Sequence, residues 1–146
     1  MIDRFNIFTT TITELYKNLQ RIKKREMSGL GLRGIHVMCL FRLKHNPEGL
    51  TLTQLSNSCA EDKAAMSRIV NELTELGYVT SNPEKKYRAP ITLTAKGFEA
   101  SNKVDKMIEE AVGAGGDGLT DEERVIFYRS TARISENLKK YLAEDK

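Results

Sequence analysis

One face of a predicted helix over residues 63–76 gathers small, amide and basic side chains. At 100° per residue, the apolar side chains of this segment fall on the other side, which must pack inward. The inward set is Met66, Ile69, Val70, Leu73, Leu76 and Gly77. The outer side carries Ala64, Arg68, Asn71 and Glu75, with Ala65 and Ser67 at its edges. Arg can bind a guanine edge bidentately, Asn can bind adenine in the same way, and Ala can contact a thymine methyl. The pattern predicts a helix that enters the major groove of DNA; the alternative is an ordinary surface helix.

The elements that flank this helix favour the DNA-reading interpretation. Residues 51–54 read Thr-Leu-Thr-Gln, a capping box that predicts a short helix ending near Cys59. Asp62 is a typical N-cap for the helix that follows, and Gly77 is a typical stop. The β-prone segments 78–80 and 91–93 enclose a polar stretch, which predicts a small hairpin. Two short helices followed by a hairpin form the plan of a winged helix-turn-helix.

Long helices are predicted on both sides of this core. Residues 2–22 show helical spacing, and a second helix is predicted over residues 32–45. After the hairpin, helices are predicted from Thr94 to about Val112 and from Thr120 to about Leu142. We expect a mainly α fold with a small β wing in a single domain. Its parts are a winged helix-turn-helix core at 32–97 and dimerisation helices at 1–26 and 98–146.

The two terminal helices carry apolar stripes that a small core cannot cover. The first stripe is Phe5, Phe8, Ile12, Leu15 and Leu19, and the second is Phe127, Ile134, Leu138 and Tyr141. Exposed apolar patches of this size are rare in monomers, so the stripes predict a homodimer related by a two-fold axis. The alternative is a bundle within one chain.

The composition is that of a soluble globular protein rather than a membrane protein. The chain has 146 residues, of which 40% are hydrophobic and 29% charged, as in soluble globular domains. It has no apolar run of the roughly 18 residues that a membrane span needs and no signal-peptide pattern, so we expect a cytoplasmic protein without a membrane partner. The net charge of +3 is uneven: residues 1–50 hold nine Lys/Arg against four Asp/Glu, and residues 97–146 hold eight against eleven. This asymmetry is compatible with a nucleic-acid partner and equally with solvated surface charge.

The order of these motifs resembles the MarR family of winged-helix transcription regulators. The resemblance rests on the runs Leu50–Ser56 and Asp62–Val70, then on Leu73, Leu76–Val79 and Leu93–Gly97, and finally on Gly118–Arg124 at the entry to the last helix. It implies a homodimer that binds a pseudo-palindromic operator in double-stranded DNA, most often as a repressor. It also implies a possible effector, since members often bind small aromatic acids or lipophilic compounds.

The resemblance assigns a role to each element of the DNA-binding core. The short helix, with Thr51, Thr53 and Gln54, would support the DNA backbone contact. In the reading helix, Lys63 would contact phosphate, and the groups at base edges would be Ala64, Ala65, Ser67 and Arg68. Asn71, on the same face, is a further DNA-binding candidate. In the wing, the basic residues Lys85, Lys86 and Arg88 would hold the flanking minor groove or backbone; the alternative is a solvated loop tip.

Two positions depart from the family pattern. The family's wing often carries Asp-Arg-Arg, whereas residues 84–88 here read Glu-Lys-Lys-Tyr-Arg. Lysine and arginine differ in a narrow minor groove, which favours the more weakly hydrated guanidinium, so the residue that takes the groove role stays open. The glycine usual between the two short helices is Ala60 here.

The remaining candidates for chemistry have simpler interpretations. Residues 113–118 fit G-x-G-x-x-G, but they follow a helix rather than a strand, so we interpret them as a flexible connection. We interpret Cys39 and Cys59 as buried small hydrophobic residues rather than thiol sensors.

His36 and His45 lack a partner at ligand spacing, and we expect no metal and no cofactor. We find no catalytic constellation and expect no enzyme. The alternative function is a winged-helix module for protein interaction or dimerisation without specific DNA binding.

Overall fold

The structure, a computed structural model, describes residues 1–81 and 88–144. The helices are α1 (Ile2–Met27), α2 (His36–Lys44), α3 (Leu52–Ser58), α4 (Lys63–Glu75), α5 (Ala95–Gly115) and α6 (Asp121–Glu144), with a 3-10 turn at Ser28–Leu30. The strands are β1 (Val79–Thr80) and β2 (Thr92–Leu93). This confirms the predicted mainly α fold with a small β hairpin. The chain divides into two compact units, Met1–Glu109 and Glu110–Lys146.

The core of the first unit lies where α2, α3, α4 and the hairpin meet the first half of α5. Leu40, Leu55, Leu73 and Val104 are fully buried. Met66, Ile69 and Val70 join them from α4, as predicted. Burying this apolar face is what holds α4 in place, because side chains of this size each contribute roughly 1.5–3 kcal/mol when removed from water.

Two predicted caps fix the ends of the short helices. Thr51 and Gln54 form a complete capping box: the Thr51 hydroxyl accepts from the Gln54 N–H, and the Gln54 carbonyl oxygen accepts from the Thr51 N–H. Asp62 accepts from the Ala65 N–H at 2.7 Å. These bonds satisfy donors that a helix start leaves unpaired, so α3 and α4 begin where the sequence predicts.

Helix α2 begins four residues later than predicted. Gly31 adopts a left-handed φ of +68°, and the chain passes so close to α1 that a Cβ on Gly34 would lie 3.1 Å from the Cβ of Lys23. The backbone N–H of Arg33 donates to the ring Nδ1 of His36 instead of to a helical carbonyl. A tight turn capped by a histidine therefore replaces the first predicted turn of α2.

The hairpin is confirmed and has a third partner that the sequence did not indicate. Strands β1 and β2 pair antiparallel, with Val79 opposite Leu93. Leu50, just before α3, forms a further antiparallel bridge to Ile91. Gly49 makes this approach possible, since it has φ +89° and a Cβ there would lie 2.7 Å from the Ile91 oxygen. The bridge ties the start of α3 to the base of the hairpin.

Two local predictions at helix ends are wrong. Leu76 does not pack inward: it is 39% exposed, because α4 ends at Glu75 and the backbone turns at Gly77, which is itself exposed. The glycine-rich segment does not begin a flexible connection at Gly113, since α5 continues to Gly115. Helical hydrogen bonding there overcomes the low intrinsic helix propensity of glycine.

The apolar stripes of the terminal helices are exposed in the structure. In the first unit, Phe5, Ile12 and Leu19 of α1 are 67%, 41% and 49% exposed. In the second unit, Phe127 and Leu138 of α6 are exposed as well. None of the described helices is long and apolar enough to cross a membrane.

Candidate nucleic-acid interface

Helix α4 presents the predicted residues on one solvent-facing side. Lys63, Ala64, Arg68 and Asn71 are exposed, and Ala65 and Ser67 at the edges are half-buried. The buried opposite side anchors the helix, so these polar groups stand on a rigid element rather than on a loop. A face with one guanidinium, one amide and small side chains between them can contact both base edges and phosphates.

Helix α3 offers fewer free polar groups than its sequence suggests. Thr53 and Gln54 are exposed and Thr51 is half-buried. The Thr51 hydroxyl and the Gln54 carbonyl oxygen are already used in the capping box. The amide nitrogen of Gln54 is the part of that side chain left to donate outward. This arrangement suits a contact to a phosphate oxygen, which accepts hydrogen bonds.

The wing is described in part. Arg88 is exposed next to the base of the hairpin. Lys85 and Lys86 lie outside the described residues. The side of the wing near β2 therefore offers one exposed guanidinium on the same compact unit that carries α4.

A polar cluster behind α4 was missed by the sequence analysis. The Nη2 atom of Arg33 lies 2.5 Å from both carboxylate oxygens of Glu72, and the Nε2 atom of His36 lies 2.7 Å from one of them. His36 is 2% exposed. Glu72 lies 36 positions from His36 and 39 positions from Arg33, so no local spacing could have indicated its place in the cluster. Their only sequence signal was a histidine within an apolar helix.

The electrostatics of this cluster follow from its contacts. Hydrogen bonds from Arg33 and His36 lower the pKa of the Glu72 carboxyl, so it is ionised. Burial lowers the pKa of His36, and the nearby Glu72 carboxylate only partly opposes that effect. The ring is therefore neutral near pH 7, and Arg33 and Glu72 form the ion pair.

The two cysteines have the surroundings of buried hydrophobic residues. Cys39 is 1% exposed within the core, and burial raises the pKa of its thiol to about 12. Burial also raises the pKa of the half-buried Cys59. Because the thiolate is the reactive form, neither environment promotes thiol chemistry. Among the described residues, no group of His, Cys, Asp and Glu is arranged to hold a metal ion.

The fold defines the class of protein: a winged helix-turn-helix protein whose helix α4 has an exposed polar face. Residues 30–86 match the sequence model of the MarR family. This match agrees with the resemblance to the MarR family drawn from the motifs. No curated protein matches the sequence significantly.

Solved structures of MarR regulators share the fold over most of the chain. A MarR protein from Peptoclostridium difficile has a TM-score of 0.83 at 24% identity, covering 95% of this chain and 92% of that one. A MarR transcriptional regulator from Methanosarcina mazei has a TM-score of 0.79 at 22% identity, covering 92% and 91%. A MarR family regulator from Listeria monocytogenes, complexed with a 26mer DNA, has a TM-score of 0.80 at 20% identity, covering 89% and 87%.

Proposed function

We propose that this protein is a sequence-specific DNA-binding transcription regulator that acts as a homodimer. The observation that carries the proposal is the exposed face of α4, where Arg68 and Asn71 stand on a helix anchored by its buried side. Two further facts support it. The MarR family consists of transcription regulators rather than enzymes, and the Listeria relative was solved with DNA.

In the proposed complex, α4 enters the major groove. Arg68 and Asn71 hydrogen-bond to base edges, and Ala64, Ala65 and Ser67 allow close approach, because their side chains are small. The Lys63 ammonium binds a phosphate. Donors of α3, namely Thr51, Thr53 and Gln54, contact the backbone, which fixes the register of α4 without reading sequence. The basic wing residues, of which Arg88 is described, contact the flanking minor groove or backbone.

A second copy of the chain is the proposed cover for the apolar stripes. The exposed side chains of α1 recur three or four positions apart, from Phe5 to Leu19, so they form one continuous face. A two-fold axis pairs that face with itself or with the equivalent stripe of α6. A symmetric dimer carries two copies of α4, which accounts for a pseudo-palindromic operator with half-sites about one DNA turn apart.

The proposal includes two further properties: the protein represses transcription, and a small effector changes its binding to DNA. A dimer on its operator represses by excluding other proteins from the same DNA. The family resemblance supports a small aromatic or lipophilic effector, and adding an aromatic acid such as benzoate to the operator complex tests that class. The proposed place of action is the cytoplasm.

The experiment is selection of bound duplexes from a random pool, followed by affinity measurement on the selected operator and on random DNA. We expect a preferred pseudo-palindromic site and binding that weakens steeply with salt. Arg68→Ala should cost about 1–3 kcal/mol on the operator and relax the base preference at one position per half-site. Arg25→Ala is the matched control, since Arg25 is an exposed arginine of α1 paired with Glu26. Absence of any preferred duplex would contradict the proposal and favour a protein-interaction module.

A further inference from the structure

The carboxylate of Glu72 is held from the side of α2. Arg33, in the turn before α2, contacts both of its oxygens through one nitrogen at 2.5 Å. His36, in the first turn of α2, contacts one oxygen at 2.7 Å. Two groups from outside α4 thus fix one side chain of α4.

The His36 ring is itself fixed by both of its nitrogens. Nδ1 accepts from the Arg33 backbone N–H at 2.9 Å, so the proton of the neutral ring lies on Nε2 and points at Glu72. The ring is almost fully buried and cannot turn without breaking a hydrogen bond. The Arg33 guanidinium therefore acts on Glu72 directly, while the backbone N–H of the same residue, which any non-proline residue would supply, orients the imidazole.

The position of Glu72 on α4 makes this interaction relevant to DNA reading. Glu72 follows Arg68 by four residues, and side chains at that spacing are neighbours on a helix surface, where opposite charges attract. Among the ion pairs of the described residues, Glu72 pairs with Arg33 and His36 and not with Arg68. A carboxylate without those partners would compete with a base edge for the Arg68 guanidinium.

We propose that Arg33 is a positioning residue for DNA recognition: with His36, it holds the Glu72 carboxylate away from Arg68 and keeps the Arg68 guanidinium available to a base. This inference rests on the proposed function. It assigns a role in specificity to a residue outside the reading helix, which acts through Glu72 and does not need to touch DNA.

The test uses the full-length protein with three variants: Arg33→Ala, Glu72→Gln, and the double variant. The measured quantity is the ratio of affinities for the selected operator and a random duplex, together with the salt dependence on each. We expect Arg33→Ala to lower this ratio roughly tenfold, within the range seen for residues that modulate coupling between sites, while the salt dependence stays unchanged. The double variant should return the ratio to within about twofold of wild type, because a neutral amide does not compete for Arg68. Arg25→Ala is again the control, with an unchanged ratio.

Each other outcome overturns the inference in a recognisable way. If Arg33→Ala weakens binding equally on both duplexes and the salt slope falls by about one, Arg33 is a phosphate contact. If the ratio falls but Glu72→Gln does not restore it, the loss does not pass through Glu72. If Arg33→Ala leaves the ratio unchanged while wild type prefers its operator, the inference alone fails. A wild-type protein that prefers no duplex overturns the proposed function, and the inference with it.

Discussion

The backbone N–H of Arg33 donates to Nδ1 of His36 at 2.9 Å, in a site where the ring is 2% exposed. Protonating the ring would place a hydrogen on Nδ1 as well as on Nε2, and this hydrogen would face the Arg33 N–H donor in surroundings that already disfavour charge. Burial is the main reason why the pKa of His36 is lowered from 6.5, with the positive charge of Arg33 acting in the same direction and Glu72 opposing it.

This lowered pKa predicts how stability depends on pH. Between the pKa of His36 in the folded protein and 6.5 in the unfolded chain, the unfolded chain binds more protons, so the free energy of unfolding rises with pH. The contribution of neutral His36 is therefore complete above about pH 6.5 and is lost as the pH falls below it. Urea unfolding followed by circular dichroism from pH 5 to 8 measures this slope.

Substitution of His36 tests this assignment. His36→Gln should flatten the slope, because glutamine can donate to Glu72 but does not titrate. A slope as steep as that of the wild type in this variant would contradict the assignment. The Glu72 carboxyl, whose pKa is lowered from 4.5, loses its own contribution only as the pH falls through that lower value.

Gly97 is a position where any side chain should be costly. A Cβ there would lie 1.9 Å from the backbone oxygen of Tyr78, which also accepts from the Thr94 N–H. Gly97→Ala should lower the free energy of unfolding by about 3 kcal/mol, because α5 must move away from the hairpin. Gly113→Ala is the control, since it lies in the same helix with open space around it; it should raise stability by about 0.5–1 kcal/mol. Denaturant midpoints of both variants check this, and equal effects would contradict it.

Ala60 is the only non-glycine residue with a positive φ in the part of the chain that the structure describes, at +55°. A Cβ in this conformation costs about 1–2 kcal/mol, whereas glycine costs about 0.5–1 kcal/mol in lost chain entropy. Ala60→Gly should therefore stabilise the protein by about 0.5–1 kcal/mol. Ala132→Gly, in the interior of α6, should destabilise it by about 1 kcal/mol. A midpoint that falls for Ala60→Gly would show that the turn is not strained by alanine.

The exposed stripe of α1 predicts the oligomeric state. Light scattering at low micromolar concentration should give twice the mass of 16.5 kDa. A charge in the stripe, as in Ile12→Asp, should dissociate the dimer because it buries an unpaired carboxylate. Lys17→Asp introduces the same side chain on the opposite face of α1 and should leave the dimer intact. A monomer mass under conditions where the protein still binds DNA would contradict the dimer and the palindromic operator.

The wing should contribute to affinity through charge. Neutralising Lys85, Lys86 and Arg88 together should reduce the salt slope by roughly one for each phosphate that the wing no longer binds. Neutralising Lys139 and Lys140 of α6 is a control for the general loss of positive charge. An unchanged slope in the triple variant would mean that the wing does not touch DNA.

Local interactions explain why much of this protein could be predicted from its sequence. The capping box at Thr51 and the cap at Asp62 each join residues three positions apart, so their partners are visible in the sequence itself. The inward face of α4 follows from a period of 3.6 residues, and Met66, Ile69 and Leu73 are buried as that period requires.

Contacts between distant segments were decided only by the tertiary structure. The bridge from Leu50 to Ile91 and the hold of Arg33 on Glu72 join residues about 40 positions apart. The late start of α2 also depends on such packing, because the turn at Gly34 fits against α1. Residue types and periodicity determined which side of α4 faces solvent. The packing of α2 beside α4 determined that the Glu72 carboxylate of α4 is paired with Arg33 and His36. Such a pairing between distant segments exists only once the chain has folded.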